Sequence, residues 1–353
     1  RINLSSLKSI LIDERNRPLV LDPISRFHSF MEWNLGGLNL IQKLKLKNRN
    51  HRLYYACRDN DFQNLILNRY PDILPFENKP VDEVLTPDNY LPWDLQRSVT
   101  SIIEDALVLN REWKNYRKKY SVKSAGFHVI GKDKHLYIHP SAKVYPGVVF
   151  DTSSGPILID ENAKISSFSF LEGPLYIGKD SQIDNARITG GSLVGKNCRI
   201  GGEVENTIIL DYSNKHHEGF LGHSFVSNWV NLGALSTTSD LKNNYGIIKL
   251  KIGTTEANTG TIKFGSIIGP FSKIAIGVML NTGCVLDIGS NIVEDRISGY
   301  SHPFTWIAKG SFYRLDSFLT DTKKIMARRE INLTEPEENY LNLLYSKLVE
   351  SAK

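Results

Sequence analysis

The sequence predicts a parallel β-helix between an N-terminal α/β region and C-terminal α-helices. Aliphatic residues recur at every sixth position through the middle of the chain, Gly, Asn and other small residues lie between them, and long helical periods are absent there. A repeat this short is typical of a parallel β-helix, in which each unit is one strand and one turn and three units close one triangular coil. We therefore expect three parts, at residues 1–125, 126–310 and 311–353.

The first part is predicted to alternate strands and helices. Ser9–Asp13 and Leu53–Cys57 are short apolar strands. Apolar residues at helical spacing predict helices over Phe30–Leu46 and Ser98–Tyr120, and Asp59 begins a sequence that can cap another helix. Strands that alternate with helices indicate a parallel sheet with right-handed crossovers.

The six-residue repeat predicts which side chains fill the coil. Each repeated aliphatic residue should point inward and stack on its equivalent in the next coil, while Gly and Asn tolerate the tight corners. An antiparallel sandwich would instead show alternation with a period of two and hairpin turns. Val194 and Ile200 continue the pattern after a slip of one residue at Ile188. The regular runs are Ile138, Val144 and Phe150, then Ile159, Ile165, Leu171, Ile177 and Ile183, and then Ile262, Ile268, Ile274, Leu280, Leu286 and Ile292.

The last part returns to helical spacing, with an apolar stripe that begins at Phe312. Thr334–Glu337 matches a capping box with Pro336 in the first turn, which predicts the start of a final helix. Its acidic and basic residues balance, so we interpret it as a packing or oligomerisation element.

Composition excludes several classes of protein. With 353 residues, 41% hydrophobic and 23% charged, the chain is typical of folded soluble proteins. The net charge of +5 is compatible with phosphorylated ligands but too small to indicate nucleic acid. No apolar run is long enough for a membrane span, and no signal peptide is evident. Three scattered cysteines, without metal or disulfide spacing, indicate a reducing compartment, so we expect a cytoplasmic protein.

The repeat is interrupted by a long polar segment at Leu235–Gly260. In a solenoid such an insert is expected to leave the coil as an arm near a ligand or a neighbouring subunit. Three histidines precede it within eight positions: His216, His217 and His223. A zinc site would need further converging ligands and no cysteine lies near, so no metal is predicted. His216 alone is best interpreted as a solvated turn residue.

Two segments here carry a resemblance to a known family. His217 is followed after two residues by Phe220-Leu221-Gly222, and Asn231-Leu232-Gly233-Ala234 follows without a gap. This pattern resembles the acetyltransferase half of the bifunctional N-acetylglucosamine-1-phosphate uridyltransferase/glucosamine-1-phosphate acetyltransferase family. It is closer to the divergent branch of putative sugar nucleotidyltransferases with the same two-domain design. The resemblance covers residues 126–310 well and Ser9–Leu46 weakly.

The resemblance implies a left-handed β-helix, a homotrimer, and acetyl transfer from acetyl-CoA to an amino sugar phosphate such as glucosamine-1-phosphate. That reaction would supply UDP-N-acetylglucosamine and cell-envelope precursors. His217 would be the general base on the face between subunits, because the pKa of histidine lies near working pH. Gly233 and Ala234 would contact acetyl-CoA.

The resemblance also implies substrate contacts near this base. Lys215 would contact a phosphate. Phe220 stands where the family has Tyr, so it lacks that hydroxyl. Counted without gaps, Asp240 falls on the family's Asn, whereas the literal Asn-Tyr pair lies four residues later, and both alternatives stay open. The predicted substrate-binding residues are Lys215, Phe220, His223, Asn231, Asp240, Asn244 and Tyr245.

The N-terminal part departs from nucleotidyltransferases, which have a glycine-rich phosphate loop after the first strand. Here Asp13–Asp22 contains no glycine. Arg26, Gly36 and Gly37 lie in segments that weakly resemble the divergent branch and are the candidate nucleotide contacts. We expect a reduced, inactive domain, with Mg²⁺ required only if it is active. The alternatives are a sugar-1-phosphate nucleotidyltransferase and a non-catalytic trimeric scaffold that binds sugar nucleotides.

Overall fold

The computed structural model describes residues 7–47, 51–116, 126–307 and 310–349. The predicted boundary at residue 125 lies outside the described residues. The N-terminal part contains a four-stranded parallel sheet in the order β3-β2-β1-β4. Its strands are β1 (Lys8–Glu14), β2 (His51–Cys57), β3 (Leu74–Pro75) and β4 (Glu83–Leu85). Its helices are α1 (Asp22–Ser25), α2 (Leu40–Lys47), α3 (Asn60–Arg69), α4 (Pro92–Arg97), α5 (Val99–Leu109) and α6 (Trp113–Tyr116).

The two predicted strands and the cap at Asp59 are present, but the predicted helix over Phe30–Leu46 is wrong. Only a 3-10 turn at Phe30–Glu32 and α2 form there. The cause lies at Gly36 and Gly37, whose φ angles of 71° and 90° make a turn that an α-helix cannot contain. The predicted helix over Ser98–Tyr120 divides into α5 and α6, and its last residues lie outside the described part.

The middle of the chain is a left-handed parallel β-helix, as predicted, and its strands form three faces. The first face contains Lys143–Val144, Lys164–Ile165, the first halves of Gln182–Thr189 and Arg199–Glu205, Asn214–Lys215, Asn231–Leu232, Lys273–Ile274, Asn291–Ile292 and Trp306–Ile307. The second face contains His128–Ile130, Val149–Asp151, Phe170–Glu172, the second halves of the two long strands, Phe220–Gly222, Thr237–Thr238, Met279–Leu280 and Arg296–Ile297. The third face contains Leu136–Ile138, Ile157–Ile159, Leu175–Ile177, Ser192–Val194, Ile208–Ile209, Phe225–Val226, Ser266–Ile268, Cys284–Leu286 and Tyr300–Ser301.

The repeated aliphatic residues fill the coil interior, which confirms the interpretation of the six-residue period. Ile159, Ile183 and Leu286, for example, are fully buried, and each such side chain contributes roughly 1.5–3 kcal/mol on burial. Val144 is half-buried at the first coils. Ile262 is the exception: the insert extends in the structure to Lys263, which bridges to Leu241, so Ile262 is not in a coil and is 46% exposed.

The outer side of the third face is covered by the rest of the chain. Its outward residues, such as Leu158, Phe225 and Val285, join one core with the N-terminal region and with helices α7 (Leu315–Ala327) and α8 (Glu335–Leu348). The predicted capping box at Thr334 is present at the start of α8. Because this face is covered, the second face and the corner between the first and second faces remain most open.

The inserted segment does not leave the molecule as a free arm. It forms an antiparallel hairpin, Lys249–Ile252 with Thr255–Asn258, that packs against its own chain. Ile248 and Leu250 are fully buried in the core shared with the N-terminal region. The prediction of an arm that reaches outward therefore applies only to the beginning of the insert.

Candidate functional site

His217 lies on the corner between the first and second faces, where the chain turns from Asn214–Lys215 into Phe220–Gly222. We call the segment His216–Glu218 the His217 corner. Its three side chains are exposed, and the His217 imidazole makes no hydrogen bond to another described residue. The neighbouring His216 ring is different, because its Nε2 lies 2.8 Å from Asp184 Oδ2. This corner therefore presents one engaged and one available imidazole to solvent.

Lys215 does not point toward solvent, which contradicts its predicted contact with a substrate phosphate. It is 1% exposed and occupies an inward position of the coil, where its equivalent in the preceding coil is Ile200. Its Nζ donates to the Gly201 carbonyl at 3.1 Å and to the His217 carbonyl. The buried ammonium therefore fixes the backbone of the His217 corner from inside.

We expect Lys215→Met to change how stability depends on pH. Burial lowers the pKa of Lys215 to about 8 from 10.5, so between these values the unfolded chain binds more protons. The wild-type free energy of unfolding should therefore rise with pH across this range, by on the order of 3 kcal/mol more than in the variant. Urea denaturation at pH 7 and pH 10.5 measures the difference. Lys164→Met, which replaces an exposed lysine of the same face, should keep the wild-type dependence of the unfolding free energy on pH. If this dependence were equal in the wild type and in both variants, the prediction would be contradicted.

Phe220 lies on the strand that leaves the His217 corner. Its ring packs so closely over Gly222 that a Cβ there would come within 2.2 Å of the ring. The same Cβ would lie 2.8 Å from Asp240 Oδ2. The Phe220 ring therefore covers the second face between the His217 corner and His223. It adds no hydrogen-bonding group there.

His223 and Asp240 form a pair at the other end of this strand. His223 Nδ1 lies 2.7 Å from Asp240 Oδ2, and its Nε2 lies 4.0 Å from Glu205. Lys263 donates to Glu205 at 3.2 Å, so each of the two carboxylates has a partner in this cluster. Burial alone would raise the pKa of Asp240, but the hydrogen bond with His223 and the charge of Lys263 lower it. His223 and His217 lie at opposite ends of Phe220–Gly222 and do not form one cluster.

Asn231 lies on the first face, exposed, with its Oδ1 3.5 Å from Asn214 Nδ2. It lines a cavity of about 370 Å³ between this face and α7, which we call the first-face cavity. Arg329 donates to Asn214 at 2.9 Å, and burial lowers the pKa of Lys273. The charged residues that line this cavity are Lys273, Lys324, Arg328 and Arg329 against one carboxylate, Asp321.

Gly233 and Ala234 hold the coil together at the same corner column as His217. The Gly233 amide donates to the Ile274 carbonyl at 2.8 Å, and the Ala234 carbonyl accepts from Gly277 at 2.8 Å. The Gly233 amide and the Ala234 carbonyl are therefore occupied within the coil, so a contact with acetyl-CoA would involve other atoms of these residues. That contact stays a prediction.

A groove of about 760 Å³ runs along the later coils of the second face, which we call the second-face groove. Asn244, at the beginning of the insert, lines it as predicted for a binding residue, whereas Tyr245 is not part of its lining and is 67% exposed. The Arg296 guanidinium faces it without a carboxylate partner among the described residues. The groove is lined by Thr237, Thr238, Ser239, Leu241, Lys242, Asn243, Asn244, Met279, Leu280, Asn281, Thr282, Arg296 and Ser298.

Arg26, a predicted nucleotide contact, is engaged in an ion pair within the fold, and its role toward a nucleotide stays a prediction. Arg26 Nε and Nη2 donate to Asp287 at 3.2 and 3.1 Å, and Asp287 is fully buried in the β-helix. Burial alone would lower the pKa of Arg26, but the charge of Asp287 raises it above its ordinary value. Gly36 packs against α5, and a Cβ on Gly37 would lie 3.0 Å from the Tyr176 hydroxyl. Arg26 and Gly37 therefore join the N-terminal region to the β-helix, whereas Gly36 packs within the N-terminal region.

Sequence reasoning missed what occupies the carboxyl ends of β1 and β2, where parallel sheets commonly bind nucleotides. Glu14 is fully buried and accepts from Arg17 at 2.7 Å. Asp22 accepts from Arg17 at 3.2 Å and from Arg58. The only sequence signal was the run of charged residues after β1, which was interpreted as a loop without glycine.

No group of three or more potential metal ligands converges within the described ranges. None of the helices in the described part of the chain has both the length and the apolar character needed to cross a bilayer.

Sequence comparison finds distant relatives. The chain is 26% identical to the bifunctional protein GlmU of Methanococcus aeolicus over 228 residues, which cover 62% of this chain and 53% of the relative. It is also 26% identical over 196 residues to an uncharacterized acetyltransferase, YaiX, of Escherichia coli, covering 54% of this chain and 78% of the relative. The chain thus spans about half the length of the GlmU relative. No family model matches it.

Solved structures give weaker matches. A hexapeptide transferase family protein from Anaplasma phagocytophilum is 15% identical, with a TM-score of 0.20, over 64% of this chain and 95% of the other. Matches this distant carry no argument about activity. The sequence relatives support the resemblance at family level, without distinguishing its divergent branch, and the name of the second relative agrees with the predicted acetyltransferase class.

Proposed function

We propose that this protein is an acetyl-CoA-dependent N-acetyltransferase that acts on an amino sugar phosphate. The observation that carries the proposal is the available imidazole of His217 on an exposed corner held from inside by Lys215. Neutral His217 would take a proton from the sugar ammonium, and the resulting amine would attack the thioester carbon. The new amide bond replaces the thioester bond, and the proton released from nitrogen leaves with the CoA thiol.

The second-face groove supports the place of acetyl-CoA. It begins at Thr237–Thr238, the strand that stacks on Phe220–Gly222, so a thioester at its near end would lie toward the His217 corner. Thr, Ser and Asn side chains can pair with the amides of a pantetheine chain, and Arg296 and Lys242 can pair with its phosphates. Asn244 contributes to the same wall.

The first-face cavity supports a phosphorylated acceptor. Four cations face one carboxylate there, so an anion would relieve their mutual repulsion. Asn231 stands at the edge of this cavity and stacks on Asn214, three residues before His217. It would replace Lys215 as the residue nearest the acceptor phosphate.

An exposed apolar ridge on the His217 corner column supports a homotrimer. Phe168, Leu235 and Ile276 are 81%, 64% and 76% exposed and lie on this column in different coils. A patch of this kind is typical of an interface, and the covered third face leaves this edge for a second copy. The active site would then lie between subunits.

We expect Ile276→Asp to separate the subunits. A charge in the centre of a desolvated interface is costly, so the mass by light scattering should fall from that of three chains to that of one. Acetyl transfer should fall with it. Val108→Asp, which replaces a 71% exposed residue of α5, is the matched control and should change neither. A wild-type protein that is monomeric at micromolar concentration would contradict the trimer.

We further propose that the N-terminal region does not turn over nucleotides, because buried ion pairs occupy the ends of β1 and β2. Such a protein would act in the cytoplasm, in sugar-nucleotide and cell-envelope precursor synthesis.

The test is release of the CoA thiol from acetyl-CoA with glucosamine-1-phosphate, with mass spectrometry of the product. EDTA should not change the rate. Pyrophosphate release that requires a divalent metal, without thiol release, would instead support the sugar-1-phosphate nucleotidyltransferase. Absence of both reactions with a panel of amino sugar phosphates would support the scaffold.

A further inference from the structure

A second cleft lies where the N-terminal region meets the corner between the third and first faces. Its volume is about 350 Å³, which is enough for one sugar ring. We call it the interdomain cleft. It shares no lining residue with the second-face groove, and neither His217 nor the ion pairs at the ends of β1 and β2 line it.

Three buried polar atoms in this cleft have no hydrogen-bond partner among the described residues. They are His28 Nε2, Asn34 Oδ1 and Asn228 Oδ1. Buried polar atoms in native proteins are nearly always paired, because an unpaired one costs about 1–3 kcal/mol. They come from two separate parts of the chain and converge on one space. Two of the three are amide oxygens, which need a donor.

The charged groups of the cleft, by contrast, are already paired. Glu32 accepts from Arg69 at 3.3 Å, and Lys179 donates to Glu161 at 2.8 Å. Lys196 Nζ lies 3.9 Å from Asp211 Oδ2. Asp160, the remaining carboxylate of the lining, accepts from the Tyr176 hydroxyl at 2.6 Å. Three carboxylates therefore face two lysines here, which distinguishes this cleft from the cationic first-face cavity.

We propose that the interdomain cleft binds an uncharged sugar ring. Ring hydroxyls both donate and accept, so they satisfy the amide oxygens of Asn34 and Asn228 together with His28 Nε2. Asp211 Oδ1 accepts from the Lys196 amide at 2.9 Å and from Asn34 Nδ2 at 3.5 Å, which leaves Oδ2 of the same carboxylate with capacity for a donor. Trp229 and Tyr212, stacked 4.2 Å apart, form one wall. Tyr212 and Trp229 also line the first-face cavity, so the two spaces share this wall, but Asn34, Asn228 and His28 line the cleft alone. The proposal does not require acetyl transfer.

The experiment is saturation-transfer NMR of the full chain with glucose, mannose, galactose and N-acetylglucosamine. We expect at least one of these sugars to bind, and inorganic phosphate not to compete with it. Asn228→Leu keeps the side-chain volume and removes the amide, so the Kd should rise about tenfold or more. Asn291→Leu, the same change at a half-buried asparagine of the first face outside the cleft, should leave the Kd unchanged.

Thermal unfolding establishes that both variants are folded, and Asn34→Leu repeats the test from the other wall. The proposal is overturned if no sugar of the panel binds to the wild-type chain. It is also overturned if Asn228→Leu and Asn34→Leu both bind sugar as the wild type does. Neither result bears on thiol release, so the proposed acetyltransferase activity stands or falls separately.

Discussion

His217→Ala should lower kcat for acetyl transfer by about two decades or more, while the KM for acetyl-CoA changes little. A general base typically contributes 10²–10⁴-fold, and of the two imidazoles at this corner only that of His217 is without a carboxylate partner in the described part of the chain. The acetyl-CoA KM should hold because no atom of His217 lines the second-face groove. Thiol release with saturating glucosamine-1-phosphate and varied acetyl-CoA measures both constants.

His216→Ala is the matched control, because it removes a neighbouring exposed imidazole whose ring centre lies 4.9 Å away. Its Nε2 is engaged by Asp184, so the rate should change by less than about fivefold. If His216→Ala abolished activity and His217→Ala did not, the base would be the histidine paired with Asp184. His223→Ala is a third comparison, since the pair with Asp240 lies at the far end of the Phe220–Gly222 strand.

The coil could be predicted from the sequence because its interior imposes a strict rule. One inward side chain per six residues must be apolar, and that rule is visible without any partner from elsewhere in the chain. Ile262 misled the count because a residue of the insert happened to match the period. Lys215 was missed for the opposite reason. It takes an inward position that the rule reserves for aliphatic residues, and only the coil around it shows that its ammonium reaches the His217 carbonyl.

The candidate site residues also fall into two groups: those whose arrangement follows from local spacing and those that only the complete fold brings together. Asn231 stacks on Asn214, three residues before His217, because their spacing matches one coil, which is a local property of the sequence. The pair of His223 and Asp240 joins two turns that are neighbours only after the coil closes. The interdomain cleft requires residues about 200 positions apart, and no local pattern predicts which corner of a β-helix another region will cover.

Arg26→Met should destabilise the folded chain by about 3–5 kcal/mol, because it leaves the fully buried carboxylate of Asp287 without its cation. Tyr300 would still donate to Asp287 at 2.7 Å, which offsets part of the loss. Urea denaturation measures the change. The neutral pair Arg26→Met with Asp287→Asn should recover much of it, since replacing both charges removes the unpaired one.

This double-variant cycle also decides between the two interpretations of Arg26. A residue that bound nucleotide phosphate would lower affinity when replaced, at little cost to stability, and the Asp287→Asn change would not compensate for it. The ion pair joins positions 261 apart, so its loss should loosen the N-terminal region from the third face. Hydrogen exchange should then rise in Ile24 and Phe27 of the shared core, while the coil interior at Ile159 and Ile183 stays protected. Equal loss of protection in both cores would mean that they unfold as one unit, and that the pair stabilises the whole chain instead of the contact between its parts.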